Sequence, residues 1–130
     1  MSETEKITIN LGLVDLGQVD LLVQEGFYSN RTDFIRTAIR NQISTHAEVV
    51  RQTVARKTLV LGLEHYTRRD LEAVREAGET LEIKVLGLAS IDEHVSPELA
   101  LETIDSIVVL GALRASPEVK SALAGRIRSS

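Results

Sequence analysis

Cysteine is absent from this chain of 130 residues, which removes disulfides, thiolate metal sites and a cysteine nucleophile from consideration. Aromatic residues make up only 3% (Phe27, Tyr28, Phe34 and Tyr66), so any core has to be aliphatic. No stretch is apolar for the roughly 18–20 residues that a membrane helix needs. The acidic, polar start Met1-Ser2-Glu3-Thr4-Glu5 reads against a secretory signal. What is present, 43% hydrophobic and 26% charged residues, excludes an extended disordered protein and allows one ordinary domain or two small ones. The expectation is a soluble, intracellular protein.

An overall basic surplus is lacking as well: the net charge is −4, which argues against a nucleic-acid partner. The distribution reverses that reading. Residues 1–57 hold seven Lys/Arg against seven Asp/Glu, whereas residues 58–130 hold eight against twelve, so the acidic excess lies in the second part. Residues 31–57 alone carry six basic side chains and two acidic ones, Asp33 and Glu48. Local patches govern the field near a surface more than totals do.

Lys6-Ile7-Thr8-Ile9-Asn10-Leu11 alternates with period two, the pattern of a strand with one buried face. Ile7, Ile9 and Leu11 form the apolar row; Lys6, Thr8 and Asn10 form the polar one. The chain next turns helical, so this strand has no neighbour in its own segment and its backbone groups must pair elsewhere. The nearest identical strand belongs to a second copy. A first helix is expected from about Leu13–Asp15 to Glu25, with Asp15 and Gln18 at capping-box spacing and Gly26 as its left-handed terminator. A second starts at Ser29 or Asn30, where Asn30 and Asp33 also have capping-box spacing. Phe34, Ile35, Ala38, Ile39, Ile43, Ala47, Val50 and Val54 then recur at helical intervals. With no glycine or proline from Phe27 to Leu61, one continuous helix over about 30–57 is expected, with a break at Ser44-Thr45 as the competing reading.

These residues, Lys6 to Leu11 followed by Glu25-Gly-Phe-Tyr-Ser-Asn-Arg-Thr-Asp-Phe-Ile-Arg-Thr-Ala-Ile-Arg40, resemble the ribbon-helix-helix (CopG/MetJ/Arc-type) DNA-binding family over residues 5–45. The resemblance implies that two chains pair their strands into an antiparallel ribbon that enters the major groove. It assigns Lys6, Thr8 and Asn10 as base readers and Ser29, Asn30 and Arg31 as a phosphate clamp. The chemistry is compatible: Asn can be bidentate to adenine, Lys can donate to guanine, and a Thr methyl can touch thymine. Helix N-termini present free N–H groups to phosphate. Two departures stand out. The family often has arginine on the ribbon and proline before the first helix; here the ribbon has no arginine, and Gly12 stands at the proline position. Less cationic readers imply weak non-specific binding by one dimer, with cooperativity expected to compensate. A strand with one polar face can also be a plain solvated edge, and Arg36 and Arg40 read as solvated or acid-paired rather than as phosphate ligands.

The second half repeats. Val60-Leu-Gly-Leu63 recurs as Val85-Leu-Gly-Leu88 and Val109-Leu-Gly-Ala112, at spacings of 25 and 24 residues. Each copy precedes a helix signal: Thr67-Arg-Arg-Asp70, Ser96-Pro97-Glu98 and Ser116-Pro117-Glu118. The middle copy has a longer loop containing Ile91-Asp-Glu-His94. A strand-loop-helix unit at this period points to a solenoid and resembles leucine-rich repeats loosely, since their Asn/Cys ladder position is missing. In register the strands give columns of valine (Val60, Val85, Val109), leucine (Leu61, Leu86, Leu110) and glycine (Gly62, Gly87, Gly111). The glycine column suits a close backbone approach or a bulge. Both faces of the sheet are apolar, and its own three helices can cover only one.

The fold expected is thus α/β (α+β overall): a ribbon-helix-helix dimer over 1–57 and a three-repeat parallel β/α solenoid-like module over 58–130. Val60, Leu61, Val85, Leu86, Val109 and Leu110 are expected to serve oligomerisation. The partners expected are double-stranded DNA and further copies of the chain, first a homodimer through the N-terminal strand and then a tetramer or longer array. No membrane, cofactor or metal is called for. Asp92-Glu93-His94 reads as a solvated loop and His65-Tyr66 as a loop pair. No phosphate loop or nucleophile–base motif occurs, so an enzyme is not expected. The reading is a cytoplasmic, nucleoid-associated transcriptional regulator, a repressor in its simplest form. The alternatives are an antitoxin whose second half neutralises a toxin, and an architectural or partition protein that coats DNA.

Overall fold

The computed structural model describes residues 4–128; residues 1–3 of the acidic start, together with Ser129 and Ser130, lie outside the described residues. Two compact units divide the chain, one over residues 4–53 and the other from Val54 onward.

In the first unit a short segment leads into α1 (Leu13–Gln24), a turn, and α2 (Arg31–Thr45). Gly12 is the N-cap of α1 and supplies no side-chain cap. The Asp15–Gln18 capping box expected there does not form: the Gln18 amide instead donates to the carbonyl of Val14, one turn back on the same helix. The C-terminus of α1 is a Schellman motif. Gly26 N–H donates to Val23 O, Phe27 N–H donates to Leu22 O, and Gly26 adopts φ +85°. The Asn30 side chain caps α2 by accepting from Asp33 N–H at 2.8 Å. Tyr28 meets Phe34 edge-to-face with ring centroids 5.0 Å apart, bracing the entry to α2.

The continuous helix expected over 30–57 is interrupted. α2 ends at Thr45, His46 leaves helical geometry at φ −103°, ψ 15°, and α3 (Ala47–Lys57) follows. No glycine or proline causes the break; the Thr45 hydroxyl donates to the carbonyl of Asn41, a back-bond that bends helices.

The second unit alternates β1 (Val60–Tyr66), α4 (Arg68–Glu76), β2 (Leu81–Ile91), α5 (Pro97–Thr103), β3 (Ile104–Arg114) and α6 (Pro117–Leu123). The three strands are parallel in the order β1-β2-β3. Thr67 and Asp70 form a reciprocal capping box, and Ser96 and Ser116 cap their helices ahead of a proline. Leu71, Leu99, Val119 and Leu123 from the helices join Ile83, Val85, Ala89 and Ile107 from the strands in one core, so the helices lie on one face of the sheet. Ile104 opens β3 directly after α5, with no intervening loop.

Register is Val60↔Val85↔Val109, Leu61↔Leu86↔Leu110 and Gly62↔Gly87↔Gly111. The three glycines have φ of +136°, +138° and +115°. A Cβ on Gly87 would sit 2.2 Å from the Gly62 carbonyl oxygen, and one on Gly111 would sit 2.1 Å from that of Gly87. Each carbonyl occupies the space where its neighbour's side chain would begin, so the repeated glycine is a steric requirement.

Two alanine substitutions should therefore have opposite signs. Gly87→Ala combines a backbone clash with a φ that only glycine tolerates, and is expected to cost about 2–4 kcal/mol. Gly17→Ala, in α1 with nothing within 4 Å of the new methyl, should stabilise by up to about 1 kcal/mol. Urea denaturation of the full chain checks both.

Candidate nucleic-acid interface

Residues 6–12 are exposed and, within the single chain, form neither helix nor the strand expected over 6–11; among the described residues no strand pairs with them. Lys6, Thr8 and Asn10 alternate with Ile7, Ile9 and Leu11. Ile9 and Leu11, with Val19, Leu22, Phe34 and Ile39, line an open apolar cleft of about 490 Å³. The apolar row thus approaches α1 and α2 but does not close over them: Ile7 is 75% exposed and Ile9 56%. Leu13, Val14, Leu21, Phe27, Ile39 and Ile43 are exposed as well. Val19 is the one buried residue of 4–53 among those described.

At the start of α2, Ser29 N–H donates to the Asp33 carboxylate at 2.9 Å while Asn30 caps Asp33 N–H. The N–H groups of Arg31 and Thr32, in the first turn, have no intrahelical acceptor. Arg31 is not idle: its Nε and Nη2 donate to the two oxygens of Asp20, at 2.8 and 2.9 Å. The hydrogen bonds from Arg31, and then its charge, hold the Asp20 carboxyl below the usual carboxylate range. The same fork raises the guanidinium's own pKa. Sequence periodicity could not reveal this pair, because it joins two helices across the turn. Arg36 and Arg40 are exposed on α2.

Ser29, Asn30 and Arg31, the residues expected as a phosphate clamp, come together at one helix start, and Lys6, Thr8 and Asn10, the expected base readers, are all exposed. The six residues expected to serve oligomerisation separate. Val85 is completely buried under the chain's own helices and cannot reach a partner, and Val109 packs against the same core. Val60, Leu61 and Leu110 remain exposed, Leu61 at 68%.

His65 and Tyr66 are strand residues, not a loop pair. The Tyr66 side chain packs on the core side, where burial raises its phenol pKa, and the His65 ring contacts the Ser90 hydroxyl across the sheet. Asp92 accepts from both the backbone N–H and the ring of His94, at 3.0 Å each. These bonds hold its carboxyl below the ordinary range. Among the described residues no group of three or more His, Cys, Asp or Glu could hold a metal, and no helix is long and apolar enough to cross a membrane.

Asp20 links the site to pH. Its folded pKa lies below the unfolded value of 3.8, so the stabilisation from the Arg31 pair is complete above that value and is lost as pH falls through the folded one. A carboxyl-carbon NMR titration should place the Asp20 midpoint below 3.8, and Arg31→Gln should return it to the ordinary value.

No curated protein and no solved structure matches the chain. A family model does, over residues 2–120, and its description is the Ribbon-Helix-Helix transcriptional regulator family. That span takes in the segment before α1, the helices α1 to α5, all three strands and the start of α6; the chain belongs to the Ribbon-Helix-Helix transcriptional regulator family and is a DNA-binding regulator of transcription.

Proposed function

We propose that two copies pair residues 6–11 into an antiparallel ribbon that reads the major groove of operator DNA and represses by occupying it. Lys6, Thr8 and Asn10 contact base edges, and Ser29, Asn30 and Arg31 contact the flanking phosphates. The observation that carries the reading is the near-absence of a core in residues 4–53. Burying an Ile or Leu side chain yields roughly 1.5–3 kcal/mol, and this unit leaves many of its own exposed. A twin supplies both the missing apolar surface and the missing backbone partners. Proteins of this family bind DNA, usually as dimers, and the family is one of regulators rather than enzymes. Such a role belongs in the cytoplasm, on the nucleoid.

The second unit, in this proposal, joins dimers. Its exposed leucine face and open strand edges support that assignment, and they equally support the coat-forming reading, in which many dimers line a longer stretch of DNA. The number of protomers bound per length of DNA separates the two.

Footprinting on the DNA upstream of the protein's own gene tests the ribbon. Thr8→Ala with Asn10→Ala removes contacts each worth about 1–3 kcal/mol of discrimination. Preference for the operator over random DNA should fall at least about tenfold while circular dichroism stays unchanged. Unaltered preference would remove the ribbon as the reader. Asp20→Asn should act in the opposite way. It frees Arg31 from the carboxylate that competes with phosphate for its donors, so the Arg31–phosphate contact should tighten and affinity for all sequences should rise, most at low salt.

A further inference from the structure

The two edges of the C-terminal sheet are shaped for each other. Gly62, on the outer strand β1, adopts the φ of the ladder, yet nothing lies within 4 Å of its missing Cβ. Inside the chain, that space beside Gly87 and Gly111 is filled by the carbonyl of the preceding glycine. At the opposite edge, Ile107 O accepts from Arg128 N–H at 2.7 Å, where a short bridge pairs Ile107 with Ile127. From Val109 to Leu113 the outer edge of β3 carries no paired strand among the described residues. Strand alternation turns the Gly111 carbonyl the same way as that of Ile107, four residues earlier. Gly111 therefore presents an oxygen that only another ladder glycine can approach, and Gly62 presents the empty place for one.

We infer that the β3 edge of one copy docks on the β1 edge of the next, in parallel and in the ladder register, so that Val109, Leu110 and Gly111 lie beside Val60, Leu61 and Gly62 of a second copy. This rests on the proposed assembly role of the second unit and specifies its geometry: edge to edge and head to tail. Burial accords with it. Val60 is 46% exposed at the edge while its register partner Val85 is 0% exposed in the middle; docking beside Val109 would extend the valine column over Val60. The helix layer accords as well. The second residue after each N-cap is Arg69 on α4, Glu98 on α5 and Glu118 on α6. Continuing the layer sets Glu118 of one copy next to Arg69 of the following one, opposite in sign. A contact between two different patches is heterologous, giving rings or open arrays rather than a closed pair.

Analytical ultracentrifugation of the full chain without DNA tests this. The wild type should exceed the mass of a dimer and grow with concentration. Leu61→Pro removes an N–H at the outer edge of β1 and leaves an apolar residue on the sheet face. It should need at least tenfold higher concentration to assemble. Added below stoichiometry, it should shorten wild-type arrays, since its β3 edge still docks. Arg69→Glu should weaken assembly several-fold, and Arg69→Glu with Glu118→Arg should restore it, which covers the case where the proline variant fails to fold. A wild type that stays dimeric, a folded Leu61→Pro chain that assembles like wild type or fails to shorten its arrays, or no rescue by the charge swap would each overturn the inference. Footprinting keeps the two proposals apart. Unaltered operator preference in the Thr8→Ala, Asn10→Ala chain would sink the ribbon reading and leave the sedimentation result standing. A folded Leu61→Pro chain that protects one dimer's length of DNA supports both.

Discussion

Burying the row Ile7, Ile9 and Leu11 requires a surface that residues 4–53 do not supply. Their first two helices are well formed, with a Schellman terminator on α1 and a side-chain cap on α2, but helix formation alone contributes little stability without a packed apolar face. The segment before α1 compounds the deficit, since unpaired backbone groups tolerate water but not burial. A partner chain resolves both at once, and any partner that pairs with the segment leaves the alternate row, Lys6, Thr8 and Asn10, facing outward. The proposed readout surface is thus a by-product of how the unit completes its core.

The C-terminal unit is limited by something different. It has a finished core, in which the buried Thr103 hydroxyl is satisfied by the Leu99 carbonyl at 2.7 Å. Its constraint is the glycine ladder, where successive strands approach so closely that a methyl group would collide with a carbonyl oxygen. A ladder of that kind is indifferent to where one chain stops and another starts. It asks only for a glycine in register, and the two edges of this sheet meet that condition from opposite sides.

Much of this was legible from residue spacing. The 24–25-residue recurrence of Val-Leu-Gly predicts the register found between β1, β2 and β3, because parallel strands in equivalent repeats align equivalent residues. Ser96-Pro97 and Ser116-Pro117 mark helix starts because their chemistry is local. The interruption at His46, next to the Ser44-Thr45 break held as the competing reading, was legible only as an alternative: no glycine or proline marks it, and the Thr45 back-bond beside it is made by Thr53 within α3 without a break. Two features were hidden. The Asp20–Arg31 fork depends on how two helices meet, which no single-helix period encodes. The burial of Val85 depends on its place in the middle strand, whereas Val60 and Val109, alike in sequence, lie in the outer two.

The charge arrangement bears on how the two proposed roles would work together. At the start of α2, where phosphate would bind, Asp33 already accepts from Ser29 N–H and Asp20 already holds Arg31. Both acids would compete with a phosphate for the same donors, and the ribbon row carries one lysine and no arginine. Each phosphate contact forgone weakens binding to every sequence alike, so a single dimer is tuned toward low non-specific affinity rather than toward tight binding. In the proposed assembly, linking dimers side by side would restore affinity without adding cationic contacts, by a factor of roughly 10²–10⁴ where geometry permits simultaneous engagement. That factor corresponds to about 3–5.5 kcal/mol, comparable to two good base contacts, and it accrues only where neighbouring sites are occupied together. Weak readers with a strong lateral contact discriminate arrays of sites from isolated ones, which a tighter single dimer could not do.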